Sequence, residues 1–333
     1  MVNRVRSFFG KPYRWAAMYG VILTLAFAFV LLDAFVIPKA QVRVESPSMT
    51  VQPVTSEHGD SAGYNAPDTT INHAEKEEDK KPDTGESLPA APVVTDTSYK
   101  DDNITISIET ARKNGTTFYV ADILLSDVSY LKTALAKNVY GRNIKQTTSA
   151  MAEEHQAIFA INGDYYGFRD TGYVLRNGVS YRDNGNDDAL AIDGDGNFSV
   201  VREGSASMES LVDDGAWQVF SFGPTLVLDG EIAVDSSSEV SKSKNSNPRT
   251  AIGQAGELHY IIIVSDGRTK ESQGLSLLEL AEEFAGRGCS IAYNLDGGGS
   301  STMVFNGRII NNPTDGRRAG EREVSDIVCF GYE

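Results

Sequence analysis

The chain has 333 residues, of which 41% are hydrophobic and 23% charged, and its formal net charge at pH 7 is −16. This composition is near the globular average and excludes a wholly disordered chain. The negative charge argues against nucleic acid as a partner, because phosphates would be repelled. Two cysteines exclude a disulfide-rich scaffold and a four-cysteine zinc site, and four scattered histidines do not indicate a histidine metal centre.

The first part of the chain has the pattern of a membrane anchor. Basic residues within residues 1–14 precede an apolar run from Trp15 to Ile37, in which Asp33 is the one charged residue. A membrane-spanning helix needs about 20 such residues, whereas the apolar core of a cleaved signal peptide has about 7–15. We therefore predict a cytoplasmic basic tail over 1–14 and an uncleaved transmembrane signal-anchor over 15–37, with the rest of the chain outside the cell. A cleaved signal peptide is the alternative.

Residues 38–100 are predicted to be a disordered linker. The stretch is acidic, rich in Pro, Ser and Thr, and nearly lacks aromatic residues. Such a composition cannot bury enough apolar surface to offset the entropy cost of folding. We expect a solvated stalk that holds a folded domain, residues 101–333, away from the membrane. Docking through the charged run 75–83 is the alternative interpretation.

Residues 101–333 are dominated by strand patterns. Alternating apolar residues predict strands over Asn103–Glu109 and Thr117–Leu125, with a turn at Asn114-Gly115. A second strand pair, Ala189–Ile192 and Phe198–Val201, flanks another turn.

Two helices are predicted in the same domain. One opens at Ser276, where Glu279 completes a capping box, and stops at Gly286 or Gly288. A weaker one covers about Ser149 to His155. Many strands and few helices predict an α+β fold with a mixed, largely antiparallel β-sheet core, preceded by one transmembrane helix and a disordered tether.

Polar loops adjoin four apolar runs, and rigid strands with such loops at their ends are typical of functional sites. The loops are Asn162–Tyr166, Asn247–Thr250, Ser265–Arg268 and Asn294–Thr302. A single Asn-Gly or Asp-Gly pair is most often only a turn. Three glycines in a row, Gly297–Gly299, are costly to order and fit close approach of the backbone to a ligand. No lysine follows them as in a Walker A loop, and no Gly-x-Ser-x-Gly elbow indicates a serine hydrolase.

At these loops the sequence resembles the phosphodiester glycosidase family. The motifs, in order, are Asn162–Tyr166, Phe222–Pro224, Pro248–Gly253, Asp266–Arg268 and Asn294–Ser301, and the segment Glu321–Val324 resembles the last family motif. The resemblance covers about residues 130 to 333 and departs at Asp164, where many relatives carry glycine or another small residue. It implies hydrolysis of a sugar-1-phosphodiester to free sugar and a phosphomonoester. Bacterial members of the family often carry a membrane anchor and sit outside the cell, which implies a glycan or glycopolymer substrate such as an exopolysaccharide.

The chemistry of that reaction selects candidate residues. A departing phosphomonoester is already a stable anion, so the main need is one carboxylate that stabilises the oxocarbenium-like sugar carbon or activates water. The candidate catalytic carboxylates are Asp296 and Asp266, with Asp164 third. Arginines are suited to bidentate contact with phosphate. The candidate substrate-binding residues are Asn162, Arg249, Thr250, Arg268, Asn294, Gly297, Gly298, Gly299, Ser300 and Ser301. No cofactor and no catalytic metal are predicted, while a structural calcium ion stays open.

Two other classes of function remain open from the sequence. A non-catalytic carbohydrate-binding ectodomain would need no converging carboxylates. A metal-dependent phosphodiesterase would need several Asp, Asn or His ligands around one or two ions, and the scarcity of histidine argues against it. Cys289 and Cys329 lie in apolar strand contexts and are predicted to be buried free thiols, with a bridge open outside the cell.

Overall fold

A computed structural model of the chain describes residues 13–43, 91–238, 246–316 and 318–333. The predicted cytoplasmic tail, except for its last two residues, lies outside the described residues. Most of the predicted linker, including the charged run 75–83, lies outside them as well.

The described helices are α1 (Arg14–Phe35), α2 (Thr148–Glu154), α3 (Met208–Asp213) and α4 (Leu277–Gly286). Helix α1 is long and apolar enough to cross a membrane, and none of its residues is buried. Helix α4 confirms the predicted capping box, because the Ser276 hydroxyl accepts from the backbone N–H of Glu279 and the Glu279 carboxylate accepts from that of Ser276. Helix α2 confirms the weaker prediction, whereas α3 was not predicted.

The strands of the first half are β1 (Lys39–Arg43), β2 (Val93–Val94), β3 (Ser98–Lys100), β4 (Ile104–Lys113), β5 (Thr116–Leu125), β6 (Leu131–Leu135), β7 (Val139–Arg142), β8 (Phe159–Asn162), β9 (Val174–Arg176), β10 (Val179–Arg182), β11 (Asp188–Asp193) and β12 (Phe198–Arg202). Those of the second half are β13 (Ala216–Phe220), β14 (Thr225–Leu228), β15 (Glu231–Ile232), β16 (Thr250–Gly256), β17 (His259–Ser265), β18 (Ile291–Asn294), β19 (Met303–Phe305), β20 (Arg308–Ile309), β21 (Thr314–Asp315), β22 (Arg318–Ala319) and β23 (Asp326–Phe330).

Three large sheets form the domain, and their strands pair antiparallel throughout. The largest has nine strands in the order β15-β14-β18-β16-β17-β5-β4-β3-β2. Two five-stranded sheets have the orders β20-β19-β8-β23-β6 and β10-β9-β13-β11-β12. The α+β, largely antiparallel prediction is confirmed, and both predicted hairpins form, as β4–β5 and β11–β12.

The core explains the apolar runs of the central strands. Ile262 and Val264 of β17 pack into the main core together with side chains of both five-stranded sheets. Their neighbours Ile261 and Ile263 point to the opposite face, which helix α4 covers with side chains such as Phe284. Because β17 is buried on both faces, its sequence is continuously apolar and does not alternate.

Two strands directly precede residue 101, the predicted start of the folded domain. Strands β2 and β3 lie within the predicted linker, and β3 pairs with β4 from Ser98 opposite Ser107 to Lys100 opposite Thr105. Tyr99 of β3 is buried, and its hydroxyl donates to the Asp101 carboxylate at 2.6 Å. The prediction of a disordered linker up to residue 100 rested on average composition. An average does not show that one aromatic residue, Tyr99, is buried in the sheet. Strand β1 also falls within the predicted linker and pairs with β7.

Candidate active site

The four neighbouring strands β14, β18, β16 and β17 bring their polar loops to one edge of the nine-stranded sheet. Since they are antiparallel, the start of β14 and of β16 lies beside the end of β18 and of β17. Thr225 is opposite Tyr293, Ala251 is opposite Asn294, and Thr250 is opposite Val264. The loop after β18 therefore lies between the loops that precede β14 and β16.

Asp296 follows β18 and carries a shielded carboxylate, with a side chain that is 11% exposed. Its Oδ2 accepts a hydrogen bond from the Ser300 hydroxyl and lies 3.4 Å from Nη2 of Arg322. Burial raises the pKa of Asp296, whereas the charge of Arg322 and the Ser300 hydrogen bond act to lower it. The backbone N–H of Asp296 donates to the carbonyl of Gly163 at 3.2 Å, which fixes the start of the loop.

The glycine run is packed against protein on every side. A Cβ at Gly297 would lie 2.8 Å from the carbonyl oxygen of Pro248, and one at Gly299 would lie 2.6 Å from Oδ1 of Asp315. Gly298 has φ +64° and a Cβ there would lie 2.7 Å from Nη2 of Arg268. The sequence analysis expected close approach to a ligand, whereas the groups found close to these glycines belong to the protein and include the side chain of an arginine.

Three arginines make the surroundings of this loop positive. Arg268 is exposed and lies against Gly298, and Arg322 donates to the carbonyl of Gly297 at 3.4 Å. Arg249 is buried, and its Nε donates to the carbonyl of Leu275 at 3.0 Å. Burial and the nearby charge of Arg268 lower the pKa of Arg249 to about 10. A phosphate group approaching the loop from solvent would meet Arg268 and Arg322, whereas Arg249 is buried behind them.

Asn162 holds the loop in place with both ends of its amide. Its Nδ2 donates to the carbonyl of Asp296 at 2.7 Å. Its Oδ1 accepts from the Thr250 hydroxyl at 2.8 Å and from the backbone N–H of Thr302 at 3.2 Å. In this arrangement Asn162 and Thr250 position Asp296, and their hydrogen-bonding groups are used within the protein.

Some polar atoms of the site are buried and have no hydrogen-bond partner among the described residues. They include Oδ1 of Asn294, whose Nδ2 donates to the carbonyl of Gly223 at 2.8 Å. The hydroxyl oxygens of Ser301 and Thr302 are likewise buried and have no hydrogen-bond partner among the described residues. Buried polar atoms without partners are costly. Oδ1 of Asn294 is therefore suited to accept a hydrogen bond from a bound molecule, and the two hydroxyls are suited to accept or donate one.

The carboxylate of Asp266 faces Asn312 and Tyr119. Its Oδ1 accepts from the backbone N–H of Asn312 at 2.7 Å, and its Oδ2 accepts from Nδ2 of Asn312 at 2.8 Å and from the Tyr119 hydroxyl at 3.4 Å. These bonds anchor the segment that leads into β21. The hydrogen-bond partners of the Asp266 carboxylate are therefore Asn312 and Tyr119. No contact among the described residues joins it to the Asp296 cluster.

Asp164 belongs to a buried cluster that the sequence analysis missed. Arg176 lies between two carboxylates, with Nη2 2.7 Å from Oδ2 of Asp164 and Nε 2.8 Å from Oδ2 of Asp326. Burial raises the pKa of Asp326 to about 7, with Arg176 acting to lower it and Asp164 to raise it further. The negative charge of Asp164 also acts to raise the pKa of Asp296, so the cluster and the candidate catalytic carboxylate influence each other.

Arg322 was also missed as an individual site residue, although its segment was noted as a motif. Charged residues next to apolar strands were the available signal for Arg176 and Asp326, which adjoin Val174-Leu175 and Ile327–Phe330. Both cysteines are free and buried, as predicted. Among the described residues, no group of three or more His, Cys, Asp or Glu side chains is arranged to hold a metal ion.

The structure thus defines an α+β domain with carboxylates and arginines gathered at one sheet edge. The family model described as phosphodiester glycosidase matches residues 155–331, more than half of the chain. The chain belongs to the phosphodiester glycosidase family.

Curated relatives match over shorter stretches. The SPbeta prophage-derived uncharacterized protein YomE of Bacillus subtilis is 32% identical over 203 residues, which are 58% of this chain and 31% of that protein. The N-acetylglucosamine-1-phosphodiester alpha-N-acetylglucosaminidase of Mus musculus is 41% identical over 85 residues, 24% of this chain and 16% of that enzyme. The chain therefore spans less than a third of the length of these curated relatives.

Solved structures share the fold. The catalytic domain of zebrafish N-acetylglucosamine-1-phosphodiester alpha-N-acetylglucosaminidase, auto-inhibited by its pro-peptide, superposes with a TM-score of 0.55 at 20% identity, covering 69% of this chain and 83% of that one. A hypothetical protein from Synechocystis superposes with a TM-score of 0.51 at 15% identity, covering 69% of this chain and 62% of that one. At these identities the likeness concerns the fold.

Proposed function

We propose that the domain hydrolyses sugar-1-phosphodiesters to free sugar and a phosphomonoester, and that it acts outside the cytoplasm on surface glycans or glycopolymers. The observation that carries the proposal is the shielded carboxylate of Asp296 beside a loop that Arg268 and Arg322 contact. The carboxylate suits the sugar carbon, and the arginines suit the phosphate. Membership of the family supports the same reaction class.

In this proposal the positive and the negative side chains have separate roles. Arg268 and Arg322 bind the phosphate oxygens, since guanidinium groups present paired N–H donors to such anions. The phosphate leaves as a stable anion and needs little protonation, so catalysis depends on stabilising positive charge at the sugar carbon. Asp296 supplies that stabilisation, directly or by activating a water molecule. Because Arg322 already lies 3.4 Å from the carboxylate, it can place the phosphate next to Asp296.

Product analysis tests the reaction. The full-length protein in detergent micelles is incubated with a panel of sugar-1-phosphate methyl diesters and with the matching methyl glycosides, in water enriched in heavy oxygen. We expect turnover of the diesters, with the heavy oxygen in the released sugar. Heavy oxygen in the phosphate would identify a phosphodiesterase that cuts the P–O bond. Sugar binding without turnover across the panel would identify a carbohydrate-binding module.

We also propose that α1 is an uncleaved anchor with its N-terminus in the cytoplasm. The support is its 22-residue apolar length, with no buried residue, next to the basic residues that precede it. Protease added to intact cells should then remove the domain and leave a short membrane-embedded stub. A shortened protein free in the medium would instead show a cleaved signal peptide.

A further inference from the structure

Helix α1 is attached at its end to the catalytic domain. Nδ2 of Asn143 donates to the carbonyls of Ala34 and Ile37, at 3.1 and 3.2 Å. These carbonyls belong to the last turn of the helix and the residue pair beyond it, where helix carbonyls lack partners within the helix. Asn143 adopts the left-handed region, with φ +56°, which asparagine tolerates better than most residues. A side chain of the domain therefore caps the membrane helix.

Strand β1 continues this attachment. It pairs antiparallel with β7, with Lys39 opposite Arg142 and Ala40 opposite Gly141. The strands approach so closely that a Cβ on Gly141 would lie 2.1 Å from the carbonyl oxygen of Lys39. The ammonium of Lys39 lies 2.6 Å from the Asp33 carboxylate, which ties the strand back to the helix.

The connection leaves the domain little freedom to move away from the bilayer. Only Val36, Ile37 and Pro38 separate α1 from β1. Three extended residues reach about 10 Å, and the headgroup layer outside the hydrocarbon is roughly 5–8 Å thick. With α1 spanning the membrane, β1 and its partner β7 lie at or just beyond the lipid headgroups.

Strand β7 is in direct contact with the loop that carries Asp164. The ring of Tyr140 stacks on Tyr166 with centroids 5.1 Å apart. The backbone N–H of Tyr166 donates to Oδ1 of Asp164 at 2.7 Å. At the end of β7, Nη1 of Arg142 lies 2.8 Å from Oδ1 of Asp170. One flank of the site is thereby joined to the membrane-side strand.

The residues just after β7 hold the segment of Arg322. The backbone of Gln146 exchanges hydrogen bonds of 3.0 and 2.8 Å with the backbone of Val324. The ammonium of Lys145 lies 3.4 Å from the carboxylate of Glu323. The backbone N–H of Ser149 donates to Glu321 at 3.0 Å. The second flank of the site is thus joined to the same membrane-side segment.

We propose that the β1–β7 pairing holds the active site at the membrane surface, and that the substrate is a sugar linked through a phosphodiester to a membrane lipid. This rests on the proposed function and on α1 being an anchor. A lipid-linked phosphodiester lies at headgroup depth, and both the loop of Asp164 and the segment of Arg322 contact the strand next to the bilayer or the residues that follow it. Confinement of enzyme and substrate to one surface raises their effective concentration.

The reaction balances with water alone. The bond between the sugar carbon and the bridging oxygen breaks, and its electron pair leaves on the lipid phosphate. The water oxygen bonds to the sugar carbon, and its proton passes to Asp296 or to solvent. Free sugar and a lipid phosphomonoester are the products.

Cross-linking tests the docking without reference to activity. The double variant Lys39→Cys with Arg142→Cys is placed in phosphatidylcholine vesicles as the full-length protein and oxidised. The native cysteines are buried, and burial raises the pKa of each thiol to about 12, so they stay unreactive. We expect a disulfide in this variant and none in the control Lys39→Cys with Arg202→Cys. Equal yields in both variants would overturn the docked arrangement.

Kinetics test the substrate class. The enzyme in the same vesicles is given a sugar-1-phosphodiester of a long-chain alcohol, or the methyl diester of the same sugar phosphate. We expect kcat/KM for the lipid diester to exceed that for the methyl diester by roughly tenfold or more. Ala40→Pro, which removes an N–H donor from β1 without altering the domain, should lower that preference, because the site is no longer held at the membrane surface, and should spare the methyl diester. Gly141→Ala should lower it too, although its Cβ would also lie 2.9 Å from Ile144 of the domain core, so Ala40→Pro is the decisive variant.

The control for Gly141→Ala is Gly286→Ala, because a Cβ at Gly286 meets open space. It should leave turnover of both substrates at the wild-type level. Equal wild-type turnover of the two substrates would overturn the proposed substrate class and point to soluble or polymeric glycans. A preference that Ala40→Pro leaves unchanged would overturn the role of the β1–β7 pairing. If neither diester is hydrolysed, the proposed function fails, while the cross-linking result still decides the docking.

Discussion

The guanidinium of Arg322 lies 3.4 Å from the carboxylate of Asp296, and both groups bond to the hydroxyl of Ser300. Burial alone would favour the neutral acid at Asp296, and Arg322 opposes that effect. The side chain of Arg322 is 37% exposed. A phosphate can therefore reach this arginine from solvent and, in doing so, arrive beside the carboxylate.

Asp296→Asn should lower kcat for a sugar-1-phosphodiester by a hundredfold or more, about 3 kcal/mol. The substitution keeps the shape of the side chain and removes its charge. The control is Asp122→Asn, which changes an exposed carboxylate 2.9 Å from His259 on the sheet surface. Steady-state kinetics of both variants measure the effect. Near wild-type turnover of Asp296→Asn would mean that the side chain only caps the glycine loop.

Arg268→Ala should raise KM for the phosphodiester by roughly tenfold or more, the effect of losing one charge-assisted contact. Simple methyl glycosides of the same sugar should be affected much less, because they carry no phosphate. Arg308→Ala is the control, since this exposed arginine pairs with Asp96 on the surface. An equal loss on both substrate types would argue against a phosphate-binding role for Arg268.

The titration of Asp326 should lower the stability of the domain as pH rises from about 4 to about 7. Its pKa is raised to about 7 in the folded protein. In that window the folded state binds more protons than the unfolded chain, so each pH increment favours unfolding. Asp326→Asn removes this titration. The difference in unfolding free energy between variant and wild type should therefore shift in favour of the variant as pH rises from about 5 to about 8.

Urea unfolding of both proteins at the two pH values measures this difference. Burial also raises the pKa of Asp296, which adds a pH dependence of the same sign. That contribution is common to both proteins and cancels in the comparison. A constant difference between variant and wild type would contradict the assignment to Asp326.

Arg176→Met should destabilise the domain by about 3–5 kcal/mol, because it leaves two buried carboxylates without their counter-charge. Arg176 is 2% exposed, and its guanidinium also lies 4.2 Å from the centroid of the Phe220 ring. Combining Arg176→Met with Asp164→Asn and Asp326→Asn should recover part of the loss. Urea unfolding measures each step, and no recovery in the combined variant would show that ring packing is the main contribution.

Local features of the fold were predictable from the sequence because their causes are local. The capping box of Ser276 and Glu279 lies within one helical turn, and the hairpin at Asn114 and Gly115 needs two adjacent left-handed residues, with φ 48° and 74°. The loop of Asp296 could be located from the sequence in the same way, because its three glycines are consecutive in the chain.

The buried ion cluster was not predictable because its members meet only in three dimensions. Arg176 and Asp326 are 150 residues apart in the chain, and either one alone is typical of a surface position. Strand β3 was missed since it is stabilised by pairing with β4 and not by its own composition. Asp266 stays a predicted candidate carboxylate, and its contact with Asn312, 46 residues further along the chain, was not predictable from the sequence.

Strand β23 occupies an interior position in its sheet, between β8 and β6. Val328 is opposite Ile161 on one side and Thr133 on the other. Strand β6 therefore has no sheet partner until the chain has been synthesised, and for an exported domain translocated, past residue 330. This sheet is completed only at that point, and Asp326 at the start of β23 reaches Arg176 at the same step. Completion of this sheet and completion of the charged cluster therefore depend on the same late strand.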